Sequence, residues 1–417
     1  DKLDRHALWQ QRATARTQAA AGFVVGTGVA CVTKDFGSGA DCSLATIELA
    51  PDGRIAINSD AVEMGTAIGT ALASRAAAIL GGMADEVAMA RVDVFGPLGL
   101  VTSGDPYSGN QAAQDAASRN PRWVPQISSP SSASVGAHVS THGAAEAARL
   151  LFRFGLWPAA LDLWGVQAGD ALTGQWQDAR WQVGALAVPG RKPLPLAALA
   201  THAHQRNFVT GVMVHAFSRW AWAAATFTVA GQSFTTDIDA LAVRFGDGKF
   251  ARIDRRNVKF PPTAYNRFGT SYSSICGTVV RVTIERATGV LRVVKAYSVV
   301  ECGNALVPEV VLGQMQGGFA MGLGQALLEN LPPFEEGPGN GTWNLGQYLV
   351  ARASDLPMGD LECEILPPLT PADPPKGMAE VVMIPVIPAI LNAIHDATGH
   401  RFAALPVTPE MLKGVLK

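Results

Sequence analysis

The chain has 417 residues, which is enough for about two or three domains of common size. Hydrophobic residues make up 48% of it and charged residues 16%, which excludes a disordered chain and indicates a globular body with extensive partner contacts. The formal net charge is -2 and there is no long basic run, so nothing in the sequence predicts nucleic-acid binding.

The sequence predicts no membrane span, because no apolar run reaches the roughly 18–20 residues that a spanning helix needs. The first residue is Asp1, and no signal-peptide pattern follows it. We therefore expect a chain that is trimmed, processed or expressed from an internal position. The compartment stays open between the bacterial cytoplasm and periplasm.

The cysteines argue against a metal or disulfide framework within this chain. There are five of them, and no two form a C-x-x-C pair. Iron–sulfur clusters and structural zinc need closely spaced thiolates, so we expect neither here. The odd count also disfavours a scaffold of disulfides.

The first third of the chain alternates between strand, hairpin and helix signals. Residues 1–22 are predicted to be an amphipathic helix or linker, and residues 23–33 a buried strand. Alternating apolar residues on both sides of Pro51-Asp52-Gly53 predict a hairpin. Apolar residues at helical spacing predict a helix over 66–80. Residues 97–130 are rich in Gly, Ser, Asn, Gln and Pro, so we interpret them as an extended loop, an insertion that contacts a partner.

The pattern of the rest of the chain predicts strands followed by helices. Most of 208–300 has strand character, and helices are predicted over 144–154, 311–328, 384–397 and 409–415. Runs of strands and helices in separate stretches are typical of an α+β protein. We predict two mixed α/β subdomains after the leading 1–22 segment, over 23–205 with the insertion at 97–130, and over 206–417.

Four segments carry candidate chemistry, because each places Gly, Gln, Ser or Glu at a turn or helix start. In the first, Glu63–Thr70, free backbone N–H groups would form an anion-binding surface, although a plain helix cap explains it equally. The second, Ser131–Gly136, adds hydroxyl groups, and its alternative is a flexible Ser-rich loop. The third, Glu301–Gly318, predicts a strand, a Gly turn and a helix that opens near Gln314 and Gln316.

The fourth segment, Pro374–Glu380, places Glu380 after a Gly-containing turn and before an apolar run. A carboxylate enclosed by apolar residues holds a proton more readily than one in water, which makes Glu380 a candidate general base. The alternative is an ordinary glutamate at the rim of a turn.

Taken in order, these segments resemble the C-terminal part of the molybdopterin-binding subunit of molybdenum hydroxylases, the xanthine dehydrogenase and aldehyde oxidoreductase family. The resemblance runs from about residue 20 to the end of the chain. Glu63–Ala67 is similar to the family's Glu-Met-Gly-Gln-Gly motif, Cys302–Gly318 to its strand-Gly-helix with Gly-Gln, and Gly377–Glu380 to its Gly-x-Gly-Glu. Tyr348, Asp355-Leu356-Pro357 and the closing segments at 387–401 and 405–410 also fit.

The resemblance implies a role for each matched residue. Glu380 would be the base that deprotonates a hydroxyl on molybdenum, and Gln314 would bond the pterin. Met64, Gly65 and Thr66 would wrap the dithiolene and oxo side of the cofactor. Its phosphate end would lie near Ser132, Ser134 and Gly136. The metal would be held through the pterin dithiolene, with no protein ligand.

The implied function is molybdenum-dependent hydroxylation of an aldehyde or an aromatic N-heterocycle, with water as the oxygen source. We favour aldehydes, because no Arg lies close to Glu380 in sequence to anchor a purine. The cofactor would be molybdopterin, with the cytosine dinucleotide form as one option. Iron–sulfur clusters and FAD or haem would lie on partner chains, namely an iron–sulfur subunit and a flavoprotein or cytochrome acceptor.

The sequence departs from the family pattern in ways that leave an alternative open. Thr66 stands where the family usually has Gln, and Ala67 and Ala379 replace two Gly residues. The first half of the family's subunit is missing, so we expect it as a separate chain or cleaved fragment. The alternative is a non-catalytic scaffold subunit that has kept the fold and lost the metal.

Overall fold

A computed structural model describes residues 1–167, 169–266, 272–332, 334, 344 and 346–416. The chain forms two compact units, one made of Asp1–Asp35 with Ser273–Lys417 and the other of Phe36–Tyr272. We call them unit 1 and unit 2. Helices and strands are mixed in both, and the predicted α+β class is confirmed.

The strands are, in chain order, β1 (Phe23–Asp35), β2 (Asp41–Leu49), β3 (Ile55–Ser59), β4 (Glu86–Ala88), β5 (Arg180–Gln182), β6 (Ala185–Ala187), β7 (Leu194–Pro195), β8 (Val209–Ser218), β9 (Ala224–Val229), β10 (Gln232–Thr236), β11 (Ala240–Phe245), β12 (Ala251–Ile253), β13 (Arg256–Lys259), β14 (Ser273–Glu285), β15 (Leu291–Glu301) and β16 (Leu361–Ile365).

The α-helices are α1 (Lys2–Arg5), α2 (Ala7–Gln10), α3 (Arg12–Thr17), α4 (Ile68–Leu80), α5 (Gln111–Ala117), α6 (Val139–Leu151), α7 (Trp157–Leu163), α8 (Leu196–Gln205), α9 (Pro308–Leu327), α10 (Val386–Thr398) and α11 (Pro409–Val415). A π-helical turn, Phe152–Leu156, joins α6 to α7. Short 3-10 turns lie at Asp93–Leu98, Ala171–Gly174, Trp176–Asp178, Thr263–Asn266 and Ala353–Asp355. None of the helices described here is both long and apolar enough to cross a membrane.

Unit 1 is a four-stranded sheet, in the order β1-β14-β15-β16, covered by α9 and α10. Its core joins valines of β14 to the apolar faces of α9 and α10. The fit between α10 and β1 is close, because a Cβ built at Gly26 would lie 2.0 Å from Ala393 O, and one at Gly28 would lie 2.1 Å from Ala389 O. The two glycines therefore let the helix lie directly on the strand.

Unit 2 has a six-stranded sheet, in the order β12-β11-β8-β2-β3-β4, with α6 packed against β2 and β8 and α4 packed against α6. The predicted hairpin around Pro51-Asp52-Gly53 is confirmed as β2 and β3, with Leu49 opposite Ile55. Two smaller sheets, β10-β9-β13 and β5-β6-β7, complete the unit.

The predicted boundary at 205/206 is wrong. Residues on its two sides form one sheet, since β8 pairs with β2 from Asp41↔Ser218 to Glu48↔Gly211. The first predicted subdomain is also divided near residue 35, because β1 pairs with β14 along its full length, from Phe23↔Glu285 to Asp35↔Ser273. Pairing between strands far apart in sequence decides the division, and such pairing leaves no local signal in composition.

The predicted insertion at 97–130 is an extended segment that contains α5 and is fastened to its own unit by buried arginines. Arg219 donates to Pro106 O at 2.9 Å and to Gln114 Oε1 at 2.8 Å. Arg255 donates to Asp239 O at 2.7 Å and to Trp123 O at 2.5 Å. Buried guanidinium groups need such partners, so these bonds fix the course of the segment over the sheet.

Candidate functional site

In unit 1, the chain at the end of β15 is hydrogen-bonded to the loop before Glu380. Lys376 N donates to Cys302 O at 2.9 Å, and Asn304 N donates to Pro374 O at 3.3 Å. The Lys376 ammonium also donates to Glu301 Oε2 at 2.6 Å. The third and fourth segments, predicted separately, therefore meet.

A glycine is required where these two segments cross. Gly303 has φ +63°, and a Cβ built on it would lie 2.2 Å from Pro374 O. Both the left-handed backbone and the closeness of the carbonyl exclude a larger side chain without a shift of the loop.

Gln314 lies within α9, but not at the start of that helix. Helix α9 begins at Pro308, so Gln314 lies in its second turn, and the expected helix opening at Gln314 is wrong. Its neighbour Met315 is buried with Cys302, Met378 and Val381 in one apolar cluster. The helix turn of Gln314 and the loop of Glu380 are thus packed through a shared core.

Glu380 lies in the turn that precedes α10. Its carboxylate is 47% exposed and forms an ion pair with the ammonium of Lys34, which is 28% exposed. The expected enclosure of this carboxylate by apolar residues is therefore wrong. The apolar residues that follow it, Val381 and Val382, turn into the buried cluster instead.

In unit 2, the turn at the start of α4 is closed by its own glutamate. The Glu63 carboxylate accepts hydrogen bonds from the N–H groups of Gly65 at 2.9 Å, Ala67 at 3.0 Å and Gly69 at 3.3 Å. The expected surface of free N–H groups is wrong for these three donors, since a carboxylate of the protein occupies them. The cap that the sequence left as the alternative is the one present.

The Ser-rich segment lies beside this turn. Ser131 Oγ accepts a hydrogen bond from Val62 N at 3.0 Å, and a Cβ built at Gly136 would lie 2.9 Å from Ile68 Cδ1. Ser132 is exposed and Ser134 is half-buried. The first two predicted segments are therefore neighbours within unit 2.

The replacement of Gly by Ala at position 67 falls on a strained backbone. Ala67 has φ +57°, in the left-handed region that favours glycine, and Gly65 two residues earlier has φ +86°. Met64 between the capping glutamate and Gly65 is 62% exposed, and Thr66 is half-buried. The turn keeps its shape with an alanine at the cost of local strain.

Each unit offers donors of a kind that suits an organic cofactor. Unit 2 has the hydroxyls of Thr66, Ser132 and Ser134, which suit phosphate oxygens, and unit 1 has the amide of Gln314, which suits ring heteroatoms. A Cβ built at Gly65, Gly313 or Gly317 would have no described atom within 4 Å, so a ligand can approach the backbone there. Over the described ranges, no group of three or more His, Cys, Asp or Glu residues could hold a metal ion directly.

Sequence reasoning missed Lys34 and Ser274, and it placed Glu63 in a candidate segment without identifying its side chain as the cap. Glu63 acts as the cap of its own turn, Lys34 pairs with Glu380, and Ser274 Oγ donates to Gly377 O at 2.5 Å. The Glu63 cap could have been found, because a carboxylate just before a helix is a known capping signal. Lys34 and Ser274 reach the loop only through strand pairing, which a linear motif does not contain.

Comparison with known families gives a match over most of the chain. A family model described as a molybdopterin cofactor-binding domain matches residues 2–104 and 116–357. Residues 105–115, which lie within the predicted insertion, and residues 358–417, which include Glu380, fall outside that match.

Among curated relatives, the aldehyde oxidoreductase molybdenum-binding subunit PaoC of Escherichia coli (strain K12) is 28% identical over 243 residues, 52% of this chain and 33% of the relative. The nicotine 6-hydroxylase large subunit of Paenarthrobacter nicotinovorans is 31% identical over 147 residues, 34% of this chain and 18% of the relative. The chain spans less than half the length of these relatives.

Solved structures show the same fold over the whole chain. Quinoline 2-oxidoreductase from Pseudomonas putida 86 gives a TM-score of 0.63 at 20% identity, covering 99% of this chain and 44% of that one. Aldehyde oxidoreductase from Desulfovibrio gigas gives a TM-score of 0.60 at 17% identity, covering 100% of this chain and 35% of that one.

Proposed function

Because the chain belongs to the family of molybdopterin cofactor-binding domains, we propose that it is the part of a molybdenum hydroxylase that binds molybdopterin and supplies the proton-accepting carboxylate. The reaction is the hydroxylation of an aldehyde or an aromatic N-heterocycle with water as the oxygen source. One observation carries the proposal. Glu380 and Gln314, which the family resemblance assigns to one cofactor, belong to segments packed on the same buried cluster of unit 1.

The cofactor-binding residues in this proposal are neutral donors. Gln314 would hold the pterin through its side-chain amide, and Ser132, Ser134 and the backbone at Gly136 would hold the phosphate end. Met64, Gly65 and Thr66 would hold the dithiolene side of the cofactor. Thr66 replaces the family's longer Gln, so its hydroxyl reaches less far into the site than an amide would.

When bound, molybdopterin carries a molybdenum ion that takes two electrons from the substrate and activates oxygen derived from water. The chain's own contribution to the chemistry is at Glu380, whose carboxylate accepts a proton at one of its oxygens. A positioned general base contributes about 10²–10⁴-fold to turnover. The Glu380 carboxylate is about half exposed, so it can be reached from outside unit 1.

The electrons leave through partner chains in this proposal. An iron–sulfur subunit accepts them, and a flavoprotein or cytochrome takes them onward. The names of the relatives include an aldehyde oxidoreductase and a nicotine hydroxylase, so both substrate classes are tested, with aldehydes favoured. A panel of aldehydes and N-heterocycles with an artificial electron acceptor decides between them.

The decisive experiment uses the native complex that contains this chain. Glu380→Gln should lower kcat by about 10²–10⁴-fold, while the molybdenum content stays at about one per complex. Glu309→Gln, an exposed carboxylate in the first turn of α9, is the matched control and should leave kcat unchanged. Near-normal turnover of the Glu380→Gln complex would remove Glu380 from this role.

A scaffold subunit that has lost the metal is the second candidate. Two observations favour it, namely the strained Ala67 in place of glycine and the Glu63 carboxylate on the N–H groups of the same turn. Metal analysis of the native complex separates the two. A complex without molybdenum, purified from cells grown with molybdate, would support the scaffold and exclude the enzyme.

A further inference from the structure

Lys34 forms an ion pair with Glu380 in unit 1. It lies one residue before the end of β1, opposite Ser274 of β14. Its ammonium donates to Asp35 O at 2.7 Å and forms the ion pair with Glu380 Oε2. The ammonium is thus held by the strand end and by the carboxylate together.

The same pair of strand residues fixes the loop that carries Glu380. Ser274, fully buried, donates from Oγ to Gly377 O at 2.5 Å, and Lys34 meets the loop three residues later at Glu380. The facing ends of β1 and β14 therefore bind the loop at two successive points. One contact sets the course of the backbone and the other the direction of its carboxylate.

A half-exposed glutamate samples several rotamers, and any given direction of its carboxylate is reached by only some of them. An ammonium that is itself fixed by a backbone carbonyl selects among these rotamers through a charge-assisted hydrogen bond. We propose that Lys34 is a positioning residue for Glu380, holding its carboxylate in the direction from which it accepts the proton. This inference rests on the proposed function of Glu380.

The kinetic test uses the native complex and three variants. Lys34→Met keeps most of the side-chain length without the charge, and should lower kcat about tenfold with KM and molybdenum content unchanged. Lys34→Arg should restore most of kcat. Lys295→Met is the matched control, because Lys295 lies in the same sheet and pairs with Asp360 at 3.3 Å, away from Glu380. An unchanged kcat in Lys34→Met would overturn the proposal.

A second measurement does not depend on turnover. The intact complex is treated with a neutral N-hydroxysuccinimide ester, and the rate of acylation of Lys34 is measured by peptide mass spectrometry. Glu380→Gln should speed the acylation of Lys34 several-fold and leave Lys295 unchanged, because the ion pair no longer shields the amine. An equal rate for Lys34 in both proteins would overturn the proposal.

The two proposals fail in different ways. If Glu380→Gln remains active, the proposed function fails whatever Lys34 does. If Glu380→Gln is inactive while Lys34→Met turns over normally, only the positioning role fails.

Discussion

The loop before Glu380 and the turn after Glu63 have similar positions in their units and differ in what holds them. Both precede a helix, α10 in one case and α4 in the other. The loop is bonded to β15 and β14 and ion-paired to Lys34 of β1. Three N–H groups of the turn donate to the carboxylate of its own Glu63.

The difference shows which residues determine the conformation of each segment. The turn needs only a stretch of neighbouring residues, so it forms wherever its helix forms. The loop needs three strands from both ends of the chain to be in register first. Changes in the sheet of unit 1 should therefore be felt at Glu380, whereas the Glu63 turn should respond mainly to changes within itself.

The largest expected effect is at the crossing of the two segments in unit 1. Gly303→Ala places a Cβ against Pro374 O at a left-handed residue, so it should lower the free energy of unfolding by about 3 kcal/mol. Hydrogen exchange of unit 1 peptides in increasing denaturant measures this. Gly313→Ala, in the open face of α9, is the control and should be neutral or slightly stabilising. Equal stability of the two variants would contradict the packing argument.

The second-largest effect should be a loss of stability of unit 2 in acid. His142 of α6 stacks on Trp222 at 3.6 Å, and burial lowers its pKa to about 4. Its pKa in the unfolded chain is about 6.5, so the unfolded state binds the proton more readily between these values. The contribution of His142 to stability is thus full above pH 6.5 and is lost as the pH falls towards 4, by up to about 2 kcal/mol.

The measurement is the unfolding of unit 2 at several pH values, followed by hydrogen exchange. His142→Gln should flatten the loss between pH 6.5 and 4. An NMR titration of the His142 ring with a midpoint near 6.5 would contradict the expected shift.

A smaller effect should follow removal of the cap. Glu63→Ala frees three N–H groups at the start of α4 and should lower the free energy of unfolding by about 1 kcal/mol. Exchange of the Gly65, Ala67 and Gly69 amides should accelerate, while exchange at Lys376 stays unchanged. Glu63→Gln keeps an acceptor oxygen and should lie between the variant and the natural protein.

The smallest effect has the opposite sign. Ala67→Gly removes the strain of φ +57° and should stabilise unit 2 by about 0.5–1 kcal/mol. Gly65→Ala is the mirror experiment at φ +86° and should destabilise by about 1 kcal/mol. Thermal unfolding of both variants checks the pair, and a loss of stability in Ala67→Gly would show that the alanine methyl has a packing role.

Local patterns predicted much of the fold. The candidate site residues came from the family resemblance and stay a prediction, and the contacts around them could not be predicted. Hydrophobic spacing predicted the strand at 23–33, the hairpin at 51–53 and the helix of α10, because these depend on neighbouring residues. The exposure of Glu380 was missed because apolar residues that follow a glutamate in sequence do not have to surround its side chain in the structure. Lys34 was missed because β1 reaches the loop only after pairing with β14.

Two glycines of β1 connect the first strand to Glu380, the proposed proton acceptor. Helix α10 rests on the backbone at Gly26 and Gly28, and the turn of Glu380 runs directly into that helix. A single methyl group at either position would lift the helix and carry the carboxylate with it. A random-mutagenesis screen for loss of activity should therefore return substitutions at positions 26 and 28. These variants should lose activity in the same way as substitutions of Glu380.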